Sequence, residues 1–172
     1  MLIVLGGLPG TGKTSLARAL ARMLRAVYVR IDTVEQALVD SGVAIRPLGP
    51  AGYVVGYALA ADNLRLGLPV VADSVNPLAV TRDAWRAVGE RMGVQVVEVE
   101  VICSDPSEHR RRVESRAADI EGLPLPTWQD VLARDYENWA REHVVIDTAG
   151  QPLERSIGAV MDKLRDQIPK LR

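Results

Sequence analysis

Residues 7–14 of this 172-residue chain read GLPGTGKT, a match to G-x-x-x-x-G-K-[ST]. The chemistry such a run can do is to cradle a polyphosphate. Gly7, Gly10 and Gly12 let the backbone curl tightly enough for successive N–H groups to face phosphate oxygens. Pro9, Thr11 and Ser15 complete the loop and its exit, where a helix N-terminus would add partial positive charge. Lys13 offers a compact cation to the β- and γ-phosphates of ATP, and the Thr14 hydroxyl is placed to ligate Mg²⁺. Only three of the 21 basic residues are lysine, and the next after Lys13 is Lys163. A chain that otherwise writes its cations as arginine uses a point charge here rather than a planar fork. A dinucleotide fingerprint is excluded, because Ser15 stands where the third glycine of G-x-G-x-x-G would fall.

Three further segments carry candidate chemistry. In YVRID, Asp32 ends an apolar run, so its carboxylate can orient an acceptor hydroxyl and take its proton. The competing reading pairs Asp32 with Glu35 as a capping box for a following helix. A carboxylate at that place repels an anionic acceptor, so it favours a hydroxyl over a nucleoside monophosphate. In DSVNP, Asp73 can hold Mg²⁺ through water and Asn76 can hydrogen-bond a substrate, against a strand-ending Asp and an Asn N-cap. In HRRRVESR, Arg112 and Arg116 are four apart and so share a helix face, leading into ADIEGLPLPT, a loop with the Gly and Pro content of a lid spanning about 112–127. Two guanidiniums closing there would neutralise charge on a transferred phosphoryl group and exclude water. The alternative is a solvated arginine face, which is the reading for Arg110 and Arg111.

The elements that must position these residues alternate in type. Short apolar runs at 2–5, 27–31, 69–72, 94–102 and 144–146 predict strands, and segments of helical period at 14–25, 33–41, 53–66, 78–92, 106–118, 128–141 and 153–167 predict helices. This is the pattern of a parallel sheet covered by helices on both faces. Asp105, Pro106 and Glu108 form a helix-start signal. GVAIRPLGPAG, residues 42–52, is too rich in Gly and Pro for either element and predicts a loop at the acceptor site.

Composition narrows the classes that remain. A net charge of −1, with 48% hydrophobic and 25% charged residues, predicts one soluble domain and speaks against a polyanion-coating surface. The 4% aromatics and the absence of Phe speak against a base-stacking platform, leaving nucleic acid as a 5′-end substrate only. The single cysteine, Cys103, rules out an intramolecular disulfide and a multi-cysteine zinc site, and it reads as a buried thiol. His109 and His143 lack partners at metal-ligand spacing, while Trp85, Trp128 and Trp139 read as packing residues. The opening MLIVLGG is too short and lacks the basic flank of a signal peptide, and no apolar run is long enough to span a bilayer, so a cytoplasmic protein is expected. There is no N-K-x-D guanine signature, and PVVAD is followed by Ser74 rather than by the second acidic residue of motor ATPases.

Taken together, GLPGTGKT, the Asp of YVRID, ADSVN, Arg112 with Arg116 before a lid, and the closing VVIDTAG resemble the small P-loop kinases of the adenylate-kinase-like superfamily. The narrower resemblance is to the group that includes polynucleotide 5′-hydroxyl kinase, chloramphenicol phosphotransferase and the gluconate and shikimate kinases. It implies a three-layer α/β/α sandwich over a five-stranded parallel sheet of order 2-3-1-4-5. It further implies that Asp32 binds the acceptor hydroxyl, that Arg112 and Arg116 are lid arginines, and that adenine packs near the turn 148–151. ATP and Mg²⁺ are the expected cofactors, with phosphotransfer to a hydroxyl of a small molecule or a nucleic-acid 5′ end as the activity. Two alternatives stay open: an ATP-binding regulatory protein without phosphotransfer, and a nucleoside monophosphate kinase. The departure lies in residues 42–52 and the following helix, where Tyr53, Tyr57 and Asn63 match no substrate signature.

Overall fold

The structure is a computed structural model and describes residues 1–43 and 46–167. Its elements are β1 (Leu2–Gly6), α1 (Lys13–Leu24), β2 (Val27–Arg30), α2 (Ile31–Asp40), α3 (Ala51–Arg65), β3 (Val70–Asp73), α4 (Ala79–Arg91), β4 (Val96–Ile102), α5 (Pro106–Ser115), α6 (Trp128–Leu132), β5 (Val144–Asp147) and α7 (Leu153–Gln167). The five strands form one parallel sheet of order β2-β3-β1-β4-β5, as the resemblance implies.

β1 is buried at every position because it is the central strand and both its faces are covered. Side chains alternate between the faces. Ile3 and Leu5 join Leu16 and Leu20 of α1 and Val160 and Leu164 of α7 in one core. Leu2 and Val4 join Ala60 and Leu64 of α3 and Trp85 and Val88 of α4 in the other. The register pairs Leu5 with Asp73 and Gly6 with Glu100, so the loop after β1 emerges beside the carboxyl ends of β3 and β4. In an open α/β sheet that edge is where ligands bind.

Four boundaries differ from the sequence expectation. The helix expected over 128–141 stops at Leu132, and the chain from 133 to 143 runs as an irregular strap. Its cause lies in β4, where Glu98 and Glu100 need donors: Arg141 supplies two bonds to Glu98, while the Tyr136 hydroxyl and His143 serve Glu100. α2 starts at Ile31, directly after β2 with no intervening loop, so Asp32 lies in its first turn rather than at a strand end. Arg30 occupies the N-cap position of α2 and no side chain caps it, which removes the capping-box reading of Asp32 and Glu35. α5 ends at Ser115, leaving Arg116 as an extended C-cap residue outside the helical face of Arg112. Finally α3 begins at Ala51, inside the loop expected over 42–52, of which residues 44 and 45 lie outside the described residues.

Candidate functional site

The loop between β1 and α1 takes the conformation its glycines allow. Gly7, Gly10 and Gly12 have φ of 147°, 86° and 89°, a region that side chains resist. Gly7 is also needed for space, since a Cβ there would run into the Val101 carbonyl oxygen. Gly12 is the N-cap residue of α1, and Lys13 opens the helix. Thr11 is buried, its hydroxyl donating to the Leu8 carbonyl at 2.9 Å.

A cavity of about 500 Å³ opens over this loop, lined by Gly10, Gly12, Lys13, Thr14, Ser15, Arg112, Arg116, Thr148 and Gln151 among others. A second cavity of about 220 Å³ adjoins it, lined by Pro9, Lys13, Asp32, Glu35, Arg46, Tyr53, Arg116 and Arg134, with Leu123, Pro124 and Pro126 from the expected lid. Lys13 and Arg116 line both. Those two cations therefore stand at the boundary between the cavities.

Lys13 is only 6% exposed, and burial pushes its ammonium below the ordinary lysine range, against the pull of Asp73 and Asp32. Neither carboxylate is in an ion pair with it; both instead pair with Arg30, at 3.9 Å for Asp73 and 3.4 Å for Asp32. A buried ammonium without an ion-pair partner among the described residues is suited to an incoming phosphate. Burial likewise lowers the pKa of the Arg116 guanidinium, opposed by Asp32, and its Nε is buried without a partner.

Arg30 is 8% exposed and sequence reasoning passed over it, although its guanidinium organises the floor of the site. It bonds Asp119 from the lid segment at 2.7 and 3.1 Å, and Arg18 reaches the same carboxylate. With hydrogen bonds from Arg30 first and Arg18 next, the Asp119 carboxyl is held down to about 2. The Asp32–Arg30 spacing of two across a strand end was the available signal.

Asp73 ends β3 and is 1% exposed, accepting a hydrogen bond from the Tyr28 hydroxyl at 2.6 Å. No group of three or more metal-ligating side chains exists among the described residues, so a Mg²⁺ ion would arrive with phosphates and meet few protein oxygens. The Thr14 hydroxyl in the cavity wall fits that hard-oxygen demand, whereas the buried Asp73 carboxylate, held by Tyr28 and facing Arg30, lines neither cavity.

Other expected residues fall differently. Asn76 sits between the lining residues Val75 and Pro77 but is itself fully buried, with φ 53° and its amide side chain unpartnered. The N-cap of α4 is Leu78, not Asn76. Arg112 lines the larger cavity while its guanidinium bonds Glu108 at 2.6 Å and the Thr148 hydroxyl at 2.7 Å. Glu108 does not return to the Asp105 amide; its second oxygen accepts from the Gly150 amide, which ties α5 to the turn after β5. Asp105 caps α5 as expected, through the amides of Ser107 and Glu108. Trp85 is a core residue, Trp139 packs against Arg82 and Gly6, and Cys103 is buried.

The sequence profile of AAA_33, described as an AAA domain, matches residues 2–137. The chain belongs to this family. Among relatives of this AAA_33 chain is a probable adenylyl-sulfate kinase of Aeropyrum pernix, 24% identical over 91% of this chain and 88% of its own length. Two solved structures share the fold: a gluconokinase from Sinorhizobium meliloti, at TM-score 0.66 and 20% identity over 96% of this chain and 91% of that one, and Chaetomium thermophilum Kti12 in complex with ADP-AlF3, at 0.71 and 22% over 96% and 98%. The AAA_33 assignment and these neighbours bear out the expected P-loop fold. No helix among the described residues is long and apolar enough to cross a membrane.

Proposed function

We propose that this AAA_33 chain is an ATP- and Mg²⁺-dependent phosphotransferase that moves the γ-phosphoryl group to a hydroxyl of a small molecule. The observation that carries the reading is the shared wall: Lys13 and Arg116 border both the cavity over the phosphate-binding loop and the cavity that holds Asp32. A phosphoryl group crossing from one cavity to the other passes between two cations, which is where transfer needs charge neutralised. A relative named as a probable adenylyl-sulfate kinase and a structural neighbour named as a gluconokinase support a kinase reading.

In this reading the loop amides and Lys13 hold the β- and γ-phosphates, while Thr14 would give the metal an oxygen and Asp73 would reach it only through water. Mg²⁺, when bound with the nucleotide, neutralises the phosphate oxygens. Asp32 orients the acceptor hydroxyl and takes its proton as the new oxygen–phosphorus bond forms and the bond to the departing ADP breaks. Arg116 follows the charge through transfer, and Arg112 secures the nucleotide cavity. The expected lid, through Leu123, Pro124 and Pro126, borders the acceptor and helps exclude water. A cavity of about 220 Å³ lined in part by Leu123, Pro124 and Pro126 suits a small acceptor better than a polynucleotide end.

The deciding experiment is ADP release with phosphorus NMR of the product, run across neutral polyols, nucleosides, aminoglycoside-type and phenicol compounds, nucleoside monophosphates and 5′-hydroxyl oligonucleotides. Turnover on a hydroxyl-bearing small molecule is expected. ATP binding with no turnover on any class would make the chain a regulatory binder. Turnover confined to nucleoside monophosphates would overturn the assignment of Asp32.

A further inference from the structure

The carbonyl groups of a phosphate-binding loop matter as much as its amides. In a trans peptide the C=O and the following N–H point in opposite directions, so a group that holds the carbonyl also aims the amide. Among the described residues the only cis peptide bond is Arg46–Pro47, so the loop peptides are all trans.

Two side chains from outside the loop hold its carbonyls. His109 of α5 is 7% exposed, and its Nε2 lies 2.8 Å from the Pro9 carbonyl oxygen. A carbonyl only accepts, so Nε2 carries the proton. The ring is fixed from its other side by Trp128, edge to face at 5.1 Å, and Trp128 is anchored by the capping box at Thr127 and Asp130 that opens α6. A Cβ on Gly10 would come within 2.5 Å of Val113 and 3.3 Å of His109, so the Pro9–Gly10 peptide rests directly on α5. With Pro9 C=O turned toward His109, the Gly10 N–H turns away from it.

Thr148, in the turn after β5, does the same two peptides further on. Its hydroxyl lies 2.9 Å from the Thr11 carbonyl oxygen and 3.1 Å from that of Ile102, and it accepts from Arg112 at 2.7 Å. Arginine only donates, so the single hydroxyl proton is left for the carbonyls. Holding Thr11 C=O turns the Gly12 N–H away from Thr148. Arg112 also donates to the Thr148 carbonyl at 2.9 Å, and a loose Thr148 is thereby prevented.

We propose that His109 and Thr148 are positioning residues that aim the phosphate-binding amides of residues 10 and 12, with Arg112 acting through Thr148. The inference rests on the donor half of the proposed function, that nucleotide phosphates bind this loop, and not on the acceptor. It gives α5 a double task, since His109 and Arg112 lie three residues apart on one helix and hold two consecutive stretches of the loop.

The test measures Mg-ADP affinity by calorimetry alongside the ligand-free thermal midpoint. His109→Leu and Thr148→Val delete the two donors, whereas His109→Gln and Thr148→Ser keep one in place. Deletion is expected to weaken Mg-ADP about tenfold, the value of one hydrogen bond of ordinary strength. The conservative variants should return to within about threefold of wild type, even where their thermal midpoints fall as far as those of the deletions. Affinity that tracks the thermal midpoint across all four variants, or that is unchanged by the deletions, overturns the proposal. Should His109→Leu fail to fold, the Thr148 pair decides alone. A wild-type protein that binds no Mg-ADP would instead remove the nucleotide site itself, which is a distinguishable failure.

Discussion

The two cavities are built in opposite ways. Around the nucleotide cavity the wall is cross-linked: Thr148, Arg30, Arg112 and Asp119 hold one another or the backbone, while the boundary cations Lys13 and Arg116 are left for phosphate. Around the acceptor cavity Asp32 has one 3.4 Å contact with Arg30, and Glu35 makes no hydrogen bond or ion pair among the described residues. Burial first, and then Asp32, holds the Glu35 carboxyl above the usual range, although Arg46 and Arg134 pull the other way. The nucleotide side is thus preorganised by the protein alone. The acceptor side holds polar groups still waiting for partners, which is the condition under which a ligand contributes most to binding and choice.

That contrast predicts where variants will act. Arg116→Ala should cost on the order of a thousandfold in turnover while Mg-ATP still stabilises the fold, because the guanidinium serves charge that develops during transfer. Unchanged turnover in a thermally intact variant would remove Arg116 from the chemistry. Asp32→Asn should cost about a hundredfold or more in kcat with ATP affinity kept, as removal of a general base does. Loss of ATP affinity instead would place Asp32 on the nucleotide side and dissolve the division between the cavities.

The same division decides what could be read from sequence. GLPGTGKT was legible because a phosphate imposes the same backbone geometry on any chain that binds it, so residue types and spacing are dictated together. The sheet order was reachable through the resemblance, and β1, β3 and β5 through apolar runs flanked by helical periods. What escaped was set by tertiary demand. The strap at 133–143 carries helical periodicity, yet Glu98 and Glu100, distant in sequence, require Tyr136, Arg141 and His143 to face β4. Arg30 looked like the polar end of a strand, and only Asp119 arriving from the lid segment shows its work. Glu35 read as half of a helix cap because nothing local tells a cap from a cavity wall, and Gly52 leaves it room where a Cβ would collide with its side chain.

Glu35 offers a sharper probe of the acceptor side. Glu35→Gln keeps the shape and removes the charge, so a substrate hydroxyl that donates to Glu35 loses a charge-assisted bond. About a tenfold rise in acceptor KM is expected, with ATP KM unchanged. The reverse pattern would show that Glu35 faces the nucleotide. An acceptor KM that falls would mean the carboxylate repels an anionic substrate, and the hydroxyl-only reading of the cavity would then give way to one using Arg46 and Arg134.

The smallest effect concerns pH and tests the preorganised side. Burial lowers the pKa of Lys13 in the free protein, whereas bound phosphates favour its charged form and must raise it again. Below the lowered value Lys13 is charged before and after binding, so affinity for ADP is full and flat. As pH rises through that value the free protein loses the proton, and binding must take one up, so affinity falls by at most tenfold per pH unit. The decline should begin below the pH at which an ordinary lysine titrates. Tyr28 does not confuse the window, because burial and Asp73 push its hydroxyl well above the usual tyrosine range. Lys13→Arg supplies the control: its guanidinium stays protonated, so its weaker affinity should show no such fall. Equal slopes in the two proteins would mean that the titrating group lies elsewhere, and that the buried ammonium is not what meets the phosphates.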